Sequence, residues 1–341
     1  MRIPFVRGGA EVLAEGLRRV LTGLGHQAEI VAIPFKPYPP ERILDQMLAC
    51  RLLDLSETAG TPVDRVIALK FPAYLIPHGH KVIWMIHQHR QAYDLWQHPL
   101  NDLHTYANGG DVRAAIHAAD TKLLPQSRGL FTISRNVAVR LKTYCGLHAI
   151  PLYHPPQDAG RFYTRPAEDF LYFPSRIDPL KRQDLVLEAL ALTRSAVRIC
   201  FSGPAEEPDF ERKCARLARK DGLRNRVQWL GAVPEEEKRD LYARSLGVLF
   251  PPLDEDYGYI TLEAMLARKP VITCTDSGGP LEFVMHHQTG MVVEPIPEAL
   301  AVAMDSLWDD RERARQWGEA ARQRYDDLRI DWDNVVEKLL P

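Results

Sequence analysis

Short β-branched runs alternate with longer stretches of helical period along most of this chain, and no other feature restricts its fold as much. Runs of that length read as strands buried on both faces, and the helical stretches between them as the crossovers that parallel strands require. The expected class is α/β with parallel sheets. In the first half the strand-like runs are Ala28 to Ile33, Arg65 to Leu69, Val82 to Ile86 and Gly129 to Ile133, with helical stretches such as Glu11 to Leu24 and Asn136 to Tyr144. In the second half they are Phe170 to Phe173, Val197 to Ser202, Val227 to Leu230, Gly247 to Phe250 and Val271 to Cys274.

Pro151 to Pro166 is rich in proline and has neither period, so it reads as a linker between two Rossmann-like, doubly wound domains. With 341 residues, 45% of them hydrophobic, the chain has the apolar content for two cores. The expected division is 1–155, 156–315 and a helical stretch 316–341 whose last helix, Trp332 to Leu340, returns its apolar face to the first domain. Only Arg2 to Val6 precede Gly8, and Pro4 interrupts them, so the opening strand reads as clipped.

The 43 basic and 45 acidic residues give a formal charge of -2, which leaves no overall footprint for nucleic acid or an anionic membrane. The longest apolar runs fall far short of a membrane span, and no apolar stretch follows Met1-Arg2 as a secretory signal would require. Cysteines 50, 145, 200, 214 and 274 lack metal-ligand spacing and read as reduced thiols. The expected location is the cytoplasm, up to the inner face of the membrane, with room for peripheral contact.

Four constellations carry polar chemistry at the ends of expected strands. Gly8-Gly9 opens a helix whose amides can approach a phosphate or sugar, although a helix start needing only flexibility would look the same. Ser175-Arg176-Ile177-Asp178-Pro179-Leu180-Lys181 brings two cations to one strand end. They suit a diphosphate that gains charge as it departs, or they are solvated surface residues. Glu255-Asp256-Tyr257-Gly258-Tyr259-Ile260-Thr261-Leu262-Glu263 places two carboxylates about a strand-loop-helix corner. A carboxylate accepts two vicinal sugar hydroxyls; the competing readings are Glu263 as an exposed first-turn helix residue and Asp254-x-Asp256 as a metal-binding pattern, although a three-residue acidic pattern arises often by chance. Ser277-Gly278-Gly279-Pro280 follows another strand, as a close-approach loop or an ordinary turn.

SRIDPLK, EDYGYITLE with its glutamates seven residues apart, SGGPLEFV and HHQTGMVVEP together resemble glycosyltransferase family 4, the glycosyl transferases group 1, in order and spacing. The resemblance is specific from Tyr172 to Pro295 and looser before it. It implies a GT-B fold, two Rossmann-like domains facing a cleft, and retaining transfer of a sugar from a nucleotide-diphosphate donor to an acceptor hydroxyl of a glycan, lipid or small molecule. No metal and no cofactor is implied, and polysaccharide biosynthesis is the expected setting. Arg176 and Lys181 would hold the diphosphate, Glu263 the ribose and Glu255 the transferred sugar, beside the backbone of Tyr257, Gly258, Tyr259 and Ile260. Gly8 and Gly9 match the glycine loop, and His87, with His89 as second choice, matches the family's functional histidine.

Seven of the twelve histidines lie between His78 and His117. A metal-dependent enzyme using His78 to His89 with Asp254 and Asp256 is therefore a rival reading, as is an inactive nucleotide-sugar-binding protein with a shortened first domain.

Overall fold

A computed structural model describes residues 8–205, 207–219 and 223–340, so the expected strand Arg2 to Val6 lies outside the described residues. The chain divides into two compact units, 1–154 with 331–341, and 155–330. The sequence reading set these boundaries at 155 and 315.

In the first unit, α1 (Gly9–Gly23) buries Leu13, Leu17 and Leu21 along one stripe, and α2 (Glu41–Leu52) buries Ile43, Met47 and Cys50. A small antiparallel pair, β1 (Glu57–Thr58) and β2 (Thr61–Pro62), precedes β3 (Val66–Ala68) and β4 (Lys81–Met85). Then come α3 (Gly109–Leu123), β5 (Gly129–Thr132), α4 (Arg135–Cys145) and β6 (Ile150–Pro151). Strands β3, β4, β5 and β6 form a parallel sheet in that order. Every residue of β4 is buried, which is why its sequence, KVIWM, shows no alternation.

Ala28 to Ile33 is not a strand, contrary to the sequence reading. A β-branched run becomes a strand only where a neighbour completes its ladder, and it pairs with no strand among the described residues. Ile30 and Val31 are exposed.

The second unit runs β7 (Leu171–Pro174), α5 (Gln183–Leu192), β8 (Ile199–Ser202), α6 (Pro208–Ala218), β9 (Val227–Trp229), α7 (Glu235–Arg244), β10 (Gly247–Leu249), α8 (Tyr259–Leu266), β11 (Val271–Cys274), β12 (Gly290–Val293), α9 (Pro297–Asp309) and α10 (Arg311–Asp327). Its sheet is parallel throughout, in the order β12-β11-β10-β7-β8-β9. Side chains alternate across it. Leu171, Phe173, Ile199, Phe201 and Leu249 join a core with α5, α6 and α9, while Tyr172, Cys200, Val248 and Phe250 join one with α7 and α8. Each such side chain, fully buried, contributes about 1.5–3 kcal/mol, so both faces of the sheet are held firmly.

The strand order reverses between β7 and β10. The chain winds outward through β8 and β9, returns to pair β10 with the other side of β7, and winds outward again. Crossovers on opposite sides diverge at such a point and leave a crevice outside the carboxyl ends of the two central strands.

Helix α10 packs with α8 and α9 in the second unit, whereas α11 (Trp332–Leu339) packs in the first, burying Val335 and Leu339. Arg65 donates to the Leu339 carbonyl at 2.6 Å, and the Trp332 ring covers Gly16 on α1, where a Cβ would lie 2.9 Å from it. All five cysteines are free thiols, and four are buried.

Candidate active site

Two loops leave the carboxyl ends of β7 and β10 at the switch point. The first, 175–182, is shaped by its own polar side chains. Asp178 accepts from the Leu180 amide at 2.8 Å and closes a single turn, Pro179 to Lys181, before Arg182 takes the left-handed conformation (φ 61°) that starts α5. Lys181 thus lies in a separate turn ahead of the helix. Gln183 donates to the Arg176 carbonyl at 2.7 Å, and the Arg176 residue is exposed. Gly203, after β8, lies so close that a Cβ there would sit 2.2 Å from the Ser175 carbonyl oxygen, so the loop depends on glycine at that position.

The second loop, 250–258, runs beside the first and beside the loop that follows β11. The Leu253 amide donates to the Leu180 carbonyl at 2.7 Å, Asp254 to Asp276 at 2.9 Å, Glu255 to Ser277 at 3.0 Å, and Gly279 back to Glu255 at 2.7 Å. Arg182 adds a two-pronged contact to Asp276, at 2.7 and 2.6 Å. Three carboxyl-end loops are therefore one hydrogen-bonded layer. Gly258 (φ 90°) then turns the chain into α8, whose positive dipole end faces the loop side.

The site residues expected from sequence in this unit fall into two groups. The Lys181 ammonium is paired with Oε2 of Glu255, both partly buried, and lies 5.7 Å from the Phe250 ring centre. Tyr257, Gly258, Tyr259 and Ile260 form the corner behind Glu255, where Tyr257 packs edge-on against Tyr259 and Phe283. Burial, with Glu263 nearby, raises the Tyr259 hydroxyl far above its ordinary value.

Glu263 forms the second group, on the second turn of α8 and only 7% exposed. Its Oε1 accepts from Lys238 Nζ at 2.8 Å and its Oε2 from the Tyr242 hydroxyl at 2.7 Å. Burial opposes the Lys238 charge, but Glu263 and Glu235 outweigh it and hold the ammonium above the usual lysine range. The Tyr242 hydroxyl is raised by burial and by Glu263. Sequence reasoning missed both partners, because α7 begins EEEKRD and reads as a solvated face. The only signal was the four-residue spacing that puts Lys238 and Tyr242 on one side of that helix.

In the first unit, Gly8 precedes α1 and its amide donates to Glu11 Oε2 at 2.9 Å, with Gly9 as the first helical residue. His87 follows β4, its Nδ1 2.5 Å from the Gln88 carbonyl. His89 lies against Phe71 (ring centres 5.2 Å) and Phe35, and burial lowers it to about 4. Below this loop, buried Asp120 accepts from Tyr74, Tyr93 and Gln88.

The rival metal reading gains nothing from the geometry. His78 Nε2 lies 3.0 Å from the Val63 carbonyl, and among the described residues no three His, Cys, Asp or Glu side chains converge as a metal would need.

Residues 162–324 match the family model "Glycosyl transferases group 1". The O-antigen chain mannosyltransferase C of Escherichia coli is 27% identical over 186 residues, 54% of this chain and 48% of that protein. The chain thus spans about half or less of the length of the curated relatives it matches first. Among solved structures, the sucrose-phosphate synthase of Thermosynechococcus elongatus superposes with a TM-score of 0.74 at 15% identity, over 97% of this chain and 92% of that one. HepE of Anabaena, solved with UDP-glucose, gives 0.70 at 18%, over 99% and 96%. At such identities the likeness concerns fold. The fold is therefore GT-B, with two Rossmann-like units, and the match to the glycosyl transferases group 1 model lies within residues 162–324.

Proposed function

We propose that this protein is a retaining glycosyltransferase of family 4, moving a sugar from a nucleotide-diphosphate donor to an acceptor hydroxyl without a metal ion. The observation that carries the reading is the Lys181–Glu255 pair at the switch point of the six-stranded sheet. It holds a mobile cation beside a carboxylate where donor chemistry needs both. Phosphate oxygens that replace Glu255 on Lys181 release the carboxylate to the transferred sugar. Arg176 and the start of α8 add positive potential for the departing diphosphate, the task a metal performs in other enzymes. Glu255 offsets positive charge that grows on the sugar ring, and Glu263 takes the ribose hydroxyls.

Gly8, Gly9 and His87 are the first unit's contributions to the reaction, with the acceptor hydroxyl attacking on the face the diphosphate leaves. The mannosyltransferase relative and the UDP-glucose bound to HepE support a hexose nucleotide as donor class and glycan assembly as the setting. No helix among the described residues is long and apolar enough to cross a membrane. The location we propose is the cytoplasm, up to the inner face of the membrane.

The test is turnover of UDP-, GDP- and ADP-hexoses, read as sugar transfer or donor hydrolysis in excess EDTA. Activity that survives chelation and falls by orders of magnitude in Lys181→Ala supports the reading. Activity lost in EDTA and restored by Mn²⁺ overturns the metal-free mechanism, and binding without turnover overturns the enzyme.

A further inference from the structure

Glu263 is nearly buried and is held at both of its carboxylate oxygens. Each oxygen receives one donor from this chain, Lys238 at 2.8 Å and Tyr242 at 2.7 Å. Both donors stand on α7, one turn apart, and reach across to α8. Tyr242 is itself fixed, its ring edge-on to Tyr172 (5.1 Å) and to Phe162 (5.8 Å). Lys238 Nζ also lies 3.7 Å from a carboxylate oxygen of Glu235, the first residue of α7. A carboxylate has about four acceptor positions, and these two donors use one on each oxygen. Two positions remain, again one on each oxygen. That is the arrangement that two vicinal hydroxyls require, and a carboxylate already locked in place accepts them without a further ordering cost.

We infer that Lys238 and Tyr242 are positioning residues that fix the Glu263 carboxylate for the 2′- and 3′-hydroxyls of a nucleoside diphosphate, an inference that rests on the donor reading above. Lys238 supplies the charge that keeps a nearly buried carboxylate matched, and Tyr242 sets the direction of its second oxygen. Neither residue touches the ligand. Their effect is felt only through Glu263, and therefore only by a ligand that carries ribose hydroxyls.

That dependence gives the experiment. UDP, GDP and ADP are titrated calorimetrically against the full chain, and each that binds is compared with its 2′,3′-dideoxy counterpart. The wild type is expected to prefer the ribose form. Lys238→Met should weaken the ribose form by about tenfold or more and the dideoxy form by less than about threefold, so that the preference collapses. Lys238→Arg, which keeps the charge, should restore most of the preference, and Tyr242→Phe, which keeps the ring, should lose part of it. Should Lys238→Met fail to fold, these two variants carry the comparison. Equal losses on both ligand forms, or a preference untouched by every variant, overturn the inference and make Lys238 a structural ion pair. If no nucleotide binds the wild type, the donor reading falls as well, an outcome the variants cannot mimic.

Discussion

The ammonium of Lys181 rests on Oε2 of Glu255, a residue 74 positions further along the chain. Lys181 closes the turn after β7 and Glu255 lies in the loop after β10, so the contact exists only because those two strands are neighbours in the sheet. The two side chains are partners in geometry and opposites in the donor chemistry proposed for them.

Their substitutions should therefore separate. Lys181→Ala is expected to weaken nucleoside diphosphate binding about tenfold to a hundredfold, the usual loss for a hydrogen bond to a charged group. Glu255→Gln should leave that binding within about threefold, because the nucleotide carries no transferred sugar, and should lower kcat instead. Calorimetry with the nucleotide and steady-state rates with the sugar donor check both. A Glu255→Gln variant that loses nucleotide affinity and keeps its kcat would reverse the assignment.

Gly279 is a point of close backbone approach within the loop layer. A Cβ there would lie 2.5 Å from the Tyr257 carbonyl oxygen and 2.8 Å from its Cα, backbone that cannot yield without moving Gly258 and the start of α8. Gly279→Ala is expected to cost about 1–3 kcal/mol, read as a lowered midpoint in urea, and to weaken donor binding beyond that loss. Unchanged stability would mean that the layer is looser than its hydrogen bonds indicate.

The class of fold was legible because buried parallel strands are written as short apolar runs. β4, β7, β8, β10 and β11 stand where those runs are. β12 went unread as a strand since Gly290 to Val293 offers only three apolar side chains after a polar stretch. Ala28 to Ile33 failed the other way, as the composition of a strand without a described partner. At the site, Lys181 and Glu255 were each found through the residues around them, but their contact depends on a strand order that no local pattern encodes. Lys238 was invisible for a different reason. A lysine in a run of glutamates faces solvent in most helices, and only the approach of α8 turns this one inward.

Two buried groups of the first unit should give its stability opposing pH slopes. Burial raises the Asp120 carboxyl to about 6, the bonds from Tyr93, Tyr74 and Gln88 offsetting only part of it. The folded state then holds that proton more tightly than the unfolded chain, whose value is about 3.9, so this contribution is present below pH ~4 and is lost as pH rises to about 6. Burial lowers His154 to about 3, and its contribution is present above pH ~6.5 and lost as pH falls toward 3. His89, near 4, adds to the same acid limb. Asp120→Asn should steepen the fall in stability from pH 6 to 4, by on the order of 3 kcal/mol, and His154→Phe should flatten it. Urea midpoints between pH 4 and 7 measure both, and parallel curves for all three proteins would refute the assignment.

Leu339 is fully buried on α11. Leu339→Ala is expected to destabilise the first unit by about 2–5 kcal/mol and to leave the second untouched. In calorimetry one transition should move down in temperature while the other stays. A joint shift of both would show that the two units unfold together.

The return of α11 imposes an order on biosynthesis. The first unit is discontinuous, and the helix that covers Gly16 and pins Arg65 is translated only after residues 155–330 have been made. At about 5–20 residues per second, that delay is on the order of ten to thirty seconds. By its end the second unit has its whole sequence and is able to fold. The earlier-made half must wait with the flank of α1 uncovered, open to proteases and chaperones until its last helix emerges.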